Sequence, residues 1–296
     1  MFSKMMIMPY TNNLSERIEE VRLLIDKADY VLIGAGAGLS TAAGLDYSGK
    51  EFEKEFQPWI ERYGFTDLYT SSFYPFKTEE ERWAYWAKHI WFLRFKPQGT
   101  ELYRTLLKVV EQKDYFVITT NVDAQFEKSG FDCKKIFATQ GDFGYLQARS
   151  GSPKTLVYNE EWVKKALKSI DDCRIPTELI PHHPQTGELM SPNLRFDDSF
   201  VEDEQWEQQA AAYQSFVKKA WNKKLVLIEL GVGFNTPSII RFPFEEMAAH
   251  NPNVSLIRFN RDYPQLSLQN INHYIPFTED VQTILKRLLT VLPLNS

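Results

Sequence analysis

Between Val31 and Gly49 an apolar, β-branched run passes directly into a glycine-rich turn and then into small residues, VLIGAGAGLSTAAGLDYSG. Gly34, Gly36 and Gly38 carry no Cβ, so the backbone can turn sharply there and bring N–H groups to an anion at the start of the following helix. A nucleotide pyrophosphate suits such a turn. The stretch places Gly34, Ala35, Gly36, Ala37, Gly38 and Ser40 in the expected cofactor-binding set. A tight βα turn whose glycines serve packing alone is the alternative reading.

The dehydrogenase fingerprint does not fit these residues. The spacing is G-x-G-x-G, and Leu39 and Thr41 stand where a third glycine would be needed. A hydride-transfer domain also places an acidic residue at the end of a second strand about 20 residues on. Glu53 and Glu55 lie in that range but have no strand before them, so a dehydrogenase is the runner-up.

Further polar groups follow other apolar runs. Thr120-Asn121-Val122-Asp123 comes after Tyr115–Thr119, Gly231-Val232-Gly233-Phe234-Asn235 after Leu225–Leu230, and Asn260-Arg261-Asp262 after Val254–Phe259. Ligands of open parallel sheets sit outside the carboxyl ends of the strands, so these segments are expected to face one crevice. Taken alone, Asp123 reads more readily as a helix N-cap.

The elements that must position these groups are legible from hydrophobic pattern. Four apolar runs, Tyr30–Ile33, Tyr115–Thr119, Leu225–Leu230 and Val254–Phe259, read as strands buried on both faces. Helical patterns lie between them, and DVQTILKRLLTVL closes the chain with an apolar stripe. The alternation predicts an α/β fold with a doubly wound parallel sheet. Two segments break the rhythm: 51–98, where Trp83, Trp86, Ile90 and Trp91 form a helical core stripe, and 142–190, with one amphipathic helix in NEEWVKKALKSI. The expected division is a Rossmann-like core of 14–50, 99–141 and 191–292, with a smaller helical or irregular module inserted as 51–98 and 142–190.

Composition narrows the function classes. The 296 residues carry a net charge of −5 and no basic block, which argues against nucleic-acid binding. No apolar run approaches membrane-spanning length, and MFSKMMIMPYTNN lacks the features of a signal peptide, so the expected location is cytoplasmic. Only Cys133 and Cys173 are available, which excludes a four-cysteine zinc site within one chain.

Taken in order, the motifs resemble the sirtuin family. GAGLSTAAGLDYS, Gly36 to Ser48, is similar to the sirtuin cofactor motif, and TTNVDAQFEKSG, Thr119 to Gly130, to the family's TQNID segment with its trailing helix. ATQGDF, Ala138 to Phe143, stands where sirtuins have the catalytic His-Gly. SPNLRFDD, Ser191 to Asp198, resembles the segment lining their acyl-lysine channel, and GVGFNTP and FNRD the two late NAD-binding segments. The resemblance implies a sirtuin-type fold with NAD as co-substrate. It departs in lacking the proline of the first motif, in having Ser48 for an arginine, and in lacking the zinc cysteines. No zinc is therefore expected, with Cys173, His182 and His183 the alternative ligands if one were bound. With Cys133 expected in the core of the main domain, the 142–190 segment is expected to be held by Leu156, Val157, Trp162, Ala166, Leu167 and Ile170 packed on the sheet domain.

Gln140 stands in place of the catalytic histidine. In the sirtuin scheme that histidine takes a ribose hydroxyl proton before the hydroxyl attacks the imidate, and an amide cannot. General-base help of this kind is worth about 10²–10⁴ in rate, so deacylation should be lost while attack at ribose C1′ survives. The pattern is similar to the macrodomain-linked sirtuins. That similarity implies NAD-dependent mono-ADP-ribosylation of a lipoylated carrier protein of the glycine-cleavage H type, reversed by a macrodomain hydrolase.

The resemblance also implies residue roles. Asn121 would position C1′, Asp123 would accept from the nicotinamide carboxamide, and Gln140 would hold a ribose hydroxyl or the acceptor. The Gly36–Gly38 backbone and Ser40 would hold the pyrophosphate, with Thr120 beside it and Gly231, Gly233, Asn260 and Arg261 around the adenosine half. Arg195 and Phe196 are candidates for binding the acceptor, Arg195 reading equally as a surface partner of Asp197 or Asp198. A weak NAD-dependent deacylase and an NAD-binding sensor without turnover stay open as alternatives.

Overall fold

A computed structural model describes residues 13–45 and 47–291. The start of the MFSKMMIMPYTNN segment (1–12), Asp46 in the first motif, and position 292 of the expected core lie outside the described residues. In chain order the elements are α1 (Leu14–Lys27), β1 (Tyr30–Ala35), α2 (Ala37–Ala42), α3 (Lys50–Glu55), α4 (Gln57–Tyr63), α5 (Leu68–Ser71) and α6 (Glu79–Ile90), which continues as a π-helical turn over Trp91–Phe95. Then come α7 (Glu101–Val110), β2 (Asp114–Thr119), α8 (Gln125–Lys128), β3 (Ile136–Ala138), β4 (Gly141–Ala148), β5 (Leu156–Tyr158), α9 (Glu160–Lys168) and β6 (Met190–Leu194). The chain finishes with α10 (Glu204–Ala220), β7 (Leu225–Leu230), α11 (Arg241–His250), β8 (Val254–Phe259), β9 (Tyr274–Phe277) and α12 (Val281–Val291).

Six parallel strands form the main sheet in the order β3-β2-β1-β7-β8-β9. The direction of winding reverses between β1 and β7, which is where an open α/β sheet makes a crevice. Register brings the carboxyl ends level: Ala35 lies opposite both Thr119 and Leu230, and Leu230 opposite Phe259. The loops that follow β1, β2, β7 and β8 must therefore emerge along one edge. One face of the sheet is covered by α1, α7 and α12 through Ile18, Leu106, Ile284 and Leu288, the other by α10 and α11 through Phe216 and Phe244. Burying a side chain of this kind stabilises the fold by about 1.5–3 kcal/mol.

The four expected strands are present, β1 running two residues further than its apolar run. The short edge strands β3 and β9 were not anticipated; β9 carries Pro276, which an edge strand tolerates.

The inserted module holds a sheet as well as helices. Strands β5, β4 and β6 pair antiparallel in that order. The two glycines of GDFGYLQA and the proline of MSPNL conceal these strands from a propensity reading. Because β6 begins at Met190, the expected boundary at 190/191 falls inside a strand.

Both insertions share one core. Phe52, Phe56, Trp59, Trp83, Trp86 and Ile90 from the first pack with Phe143, Leu146, Val163 and Ala166 from the second, and Trp162 meets Trp83 edge-on at 5.2 Å. The expectation that Leu156, Val157, Trp162, Ala166, Leu167 and Ile170 would pack on the sheet domain is corrected: all but Leu156 pack in the core formed with the aromatic helices of 51–98. Cys133, expected in the core, is exposed, because it lies in the turn before β3; Cys173 is buried. His183 Nε2 bonds the Thr155 hydroxyl and His182 Nδ1 meets the Ile180 carbonyl, so these two imidazoles and Cys173 do not converge. Among the described residues no group of three potential ligands is placed to hold a metal ion, and no helix is long and apolar enough to cross a membrane.

His89 sits at the centre of this aromatic core, stacked on Trp86 at 5.0 Å and against Phe143, with Nδ1 2.9 Å from the Tyr85 hydroxyl. Burial drives its imidazole down from 6.5 to about 3. The unfolded chain therefore binds the extra proton first, and the neutral ring's contribution is complete above 6.5 and lost as pH falls toward 3. Substituting His89→Gln removes the titration. The stability advantage of wild type over this variant should shrink by about 1.4 kcal/mol per pH unit below roughly pH 6 in urea titrations. A constant difference between pH 7 and pH 5 would contradict a buried neutral histidine.

Candidate functional site

The floor of the crevice is set by two loops that touch backbone to backbone. Gly36 N–H donates to the Leu230 carbonyl and Gly38 N–H to the Gly231 carbonyl, each at 3.0 Å. A Cβ on Gly38 would stand 2.8 Å from Gly231 Cα, and one on Gly231, whose φ is +61°, would stand 2.3 Å from Leu39 N. Only glycine permits this approach. The expectation that the Gly36 and Gly38 amides face a pyrophosphate is corrected, since both are committed to the β7 loop. Gly34 is a packing position, because a Cβ there would meet Ile240 and Phe244.

Above that contact lies a buried polar cluster drawn from three elements. The Ser40 hydroxyl donates to Asp123 Oδ2 at 2.6 Å. Its single proton is thereby placed, so the 3.0 Å contact to Tyr103 is donated by the tyrosine, and Asn121 Nδ2 donates to both Ser40 Oγ (3.1 Å) and Tyr103 OH (3.2 Å). Asp123 Oδ1 accepts from Gln125 N–H at 3.0 Å. Thr119 Oγ1 donates to the Ala35 carbonyl and accepts from Asn121 N–H, and Thr120 N–H bonds the same carbonyl, so the β2 loop is fastened to β1. Ala124, left-handed at φ 54°, turns the chain into α8 just after the carboxylate.

Burial raises the Asp123 carboxyl above its ordinary range, and the Ser40 hydroxyl and Gln125 amide partly offset that. The Tyr103 phenol is pushed well up by burial and by Asp123. Tyr103 was not foreseen. It lies on the amphipathic stripe of α7, where an aromatic reads as core.

Gln140 is half-buried in the turn after β3, and its backbone carbonyl accepts from Arg195 N–H at 3.1 Å. Arg195 does not pair with Asp197 or Asp198. Its guanidinium meets Glu202 and lies over Phe200 (4.4 Å) and Trp206, while Asp197 is taken by Ser199. Phe196 is 48% exposed and packs edge-on against Phe73, which in turn meets Tyr69. An exposed aromatic rim thus adjoins Gln140.

On the other side, Asn260 Nδ2 donates to the Val232 carbonyl and its Oδ1 accepts from Asp262 and Tyr263 N–H, so this side chain ties the β7 and β8 loops together. Arg261 is exposed and paired with Asp262. Gly233 has open space around it. The crevice brings Ser40, Asn121 and Asp123 into contact, with Gly231 and Asn260 at one end. Close backbone approach at a winding reversal, level strand ends and a buried hydroxyl–carboxylate cluster suit a dinucleotide.

No family model matches the chain. A protein ADP-ribosyltransferase of Staphylococcus aureus is 29% identical over 272 residues, covering 92% of this chain and 86% of that protein. A probable bifunctional ADP-ribose hydrolase/ADP-ribosyltransferase of Fusarium oxysporum f. sp. cubense is 32% identical over 262 residues, covering 85% of this chain; the chain spans only 44% of that protein. Among solved structures, Sir2Tm bound to a propionylated peptide matches with a TM-score of 0.58 at 15% identity, and Sir2 with a p53 peptide and NAD+ with 0.56 at 16%; each match covers 92% of this chain and 97% of the other. At such identities the shared property is the fold.

The loop contact makes a paired prediction. Gly231→Ala should cost ~1–3 kcal/mol of unfolding free energy through its backbone conformation and the clash with Leu39. Gly233→Ala, in open space, should stay within about 0.5 kcal/mol of wild type. Equal effects in chemical denaturation would contradict the close approach.

Proposed function

We infer that the chain, a sirtuin-type protein ADP-ribosyltransferase by relationship and fold, cleaves NAD at ribose C1′, releases nicotinamide and transfers ADP-ribose to a side chain of an acceptor protein. The observation that carries this reading is the buried Ser40–Asn121–Asp123 cluster; Gln140, a residue that cannot take up a proton, follows Thr139, whose N–H bonds the Thr119 carbonyl at the end of β2.

The dinucleotide brings a glycosidic carbon that becomes electrophilic as a neutral base departs. The chain's part is to orient and stabilise. Asp123 already accepts from Ser40 and Gln125, and each of its oxygens retains a lone pair for a carboxamide N–H. Asn121 has both Nδ2 protons committed, which leaves its Oδ1 as the acceptor for a ribose hydroxyl. Gln140 can hydrogen-bond but cannot act as a base, so the step that completes deacylation lacks its proton acceptor. Transfer to an outside nucleophile remains.

We propose a lipoylated carrier protein as the acceptor. The exposed rim of Phe196, Phe73 and Tyr69 beside Gln140 supports an acceptor with an apolar arm. A macrodomain hydrolase is proposed as the functional counterpart, a reading supported by the two activities named for the Fusarium relative.

Incubating the protein with NAD and a lipoyl-carrier protein, with and without lipoate, should add the mass of one ADP-ribose to the lipoylated form alone. Nicotinamide should appear in equal amount. Asn121→Ala should lower nicotinamide release by about 10²-fold or more in a protein that still melts cooperatively. Equal modification of the unlipoylated carrier would overturn the acceptor; wild-type release by the variant would overturn the site.

A further inference from the structure

The helical turn α8 begins two residues after Asp123 and fastens both insertions to the main sheet. Gln125 Nε2 donates to the Gln98 carbonyl (3.3 Å), its Oε1 accepts from Thr100 N–H (3.2 Å), and Lys128 Nζ donates to the Arg94 and Pro97 carbonyls, so α8 grips the end of the first insertion. Phe143 N–H donates to the Val122 carbonyl at 3.0 Å, which ties the start of the second insertion to the β2 loop. Beside it, Asp142 Oδ1 accepts from Arg94 Nε (2.7 Å) and Gly144 N–H (2.6 Å), and Oδ2 from Arg94 Nη2 (3.2 Å). One lone pair remains on Oδ2.

Glu127, half-buried on α8, is held differently. Among the described residues its own backbone N–H is the only donor to its carboxylate, and no Lys or Arg nitrogen stands within 4 Å of it. With Asn121, Asp123, Gly141 and Asp142 it lines a niche of about 10 Å³, which is room for a single water. Burial, with the Asp142 and Asp123 charges nearby, raises the Glu127 carboxyl to about 7, and Arg94 opposes this. Lys128 and Tyr145 also feel its charge, and Lys128 is lowered to about 8, chiefly by burial.

A water in this niche has two protons to give and faces three carboxyl groups. With Glu127 neutral, its O–H donates to the water and the water donates to Asp142 Oδ2 and to Asp123, so every proton has an acceptor and every acceptor a proton. With Glu127 ionised, three acceptors compete for two protons and three like charges line one small space.

We propose that Glu127 is a positioning residue for Asp123: as a neutral carboxyl it completes, through one water, a bridge from α8 and the β2 loop to Asp142, and loss of its proton breaks that bridge and withdraws Asp123 from the nicotinamide end of the dinucleotide. The inference rests on the use of the crevice proposed above. The native chain holds this proton more tightly than the unfolded chain, so its stabilising effect is complete below 4.5 and lost as pH rises through about 7.

Calorimetric binding of NAD and of ADP-ribose, which lacks nicotinamide, tests this without turnover. Between pH 6 and pH 8 the wild-type affinity for NAD should fall about tenfold, as the competent fraction falls, while that for ADP-ribose stays within about twofold. Glu127→Gln, a permanent mimic of the neutral carboxyl, should bind NAD equally at both pH values and about tenfold more tightly than wild type at pH 8. In wild-type protein the Glu127 carboxyl carbon, followed by NMR, should titrate with a midpoint near 7, a readout that does not depend on the variant folding. A midpoint in the ordinary carboxylate range, a flat wild-type NAD profile, or the wild-type profile retained in Glu127→Gln would each overturn the positioning role alone. Failure of wild type to bind NAD at any pH would overturn the dinucleotide reading and this inference with it.

Discussion

The hydrogen bond from Ser40 to Asp123 is the constraint on which the arrangement of the crevice depends. Asp123 is buried and has no ion-pair partner within 4 Å among the described residues, so its carboxylate is kept in place by neutral donors alone. An isolated buried charge is expensive, and a hydroxyl and a backbone amide aimed at it offset only part of that cost. Presenting Ser40 there requires α2 to begin immediately after β1, which requires Gly36 and Gly38 to lie against Gly231. Presenting Asp123 requires the β2 loop to be fastened to Ala35 through Thr119 and Thr120. Loops from β1, β2 and β7 are thus interdependent, and a single Cβ at the glycine contact would be felt at the carboxylate.

In the proposed function, chemistry and acceptor binding are divided between the two modules. The parallel sheet supplies the cluster that can hold and polarise a glycosidic centre. The smaller module, whose core is shared by both insertions, brings Phe73 and Tyr69 to the exposed rim that Phe196 completes next to Gln140. The Gln140 carbonyl, bonded to Arg195 N–H, joins the end of β3 to the strand returning from the smaller sheet. With an amide side chain at that junction, the proposed site can orient an acceptor but has no base there for the ribose hydroxyl proton.

Sequence patterning revealed β1, β2, β7 and β8 because central parallel strands are buried on both faces and read as continuous β-branched runs. The polar strand ends were legible for the same reason: they are where such runs stop. Strands β3 and β9 were too short to show a period. In β4 and β6, glycine and proline outweighed pairing that only tertiary context supplies. The glycine turn is legible, but spacing cannot tell that the Gly36 and Gly38 amides bind a loop nearly 200 residues away rather than a ligand. Tyr103 was hidden on a core stripe. Arg195 was seen, yet its partner Glu202 lies beyond the near acidic residues that sequence proximity favours.

As proposed, this crevice activates ribose C1′ but does not complete acyl transfer. The most direct measurement is the fate of the acyl group when wild-type protein is given NAD and an acylated carrier protein, followed by mass spectrometry of both the protein and the small-molecule products. Released nicotinamide and a carrier that bears ADP-ribose with its acyl group intact are the expected products. Free acyl-ADP-ribose and a deacylated carrier as the main products would contradict it.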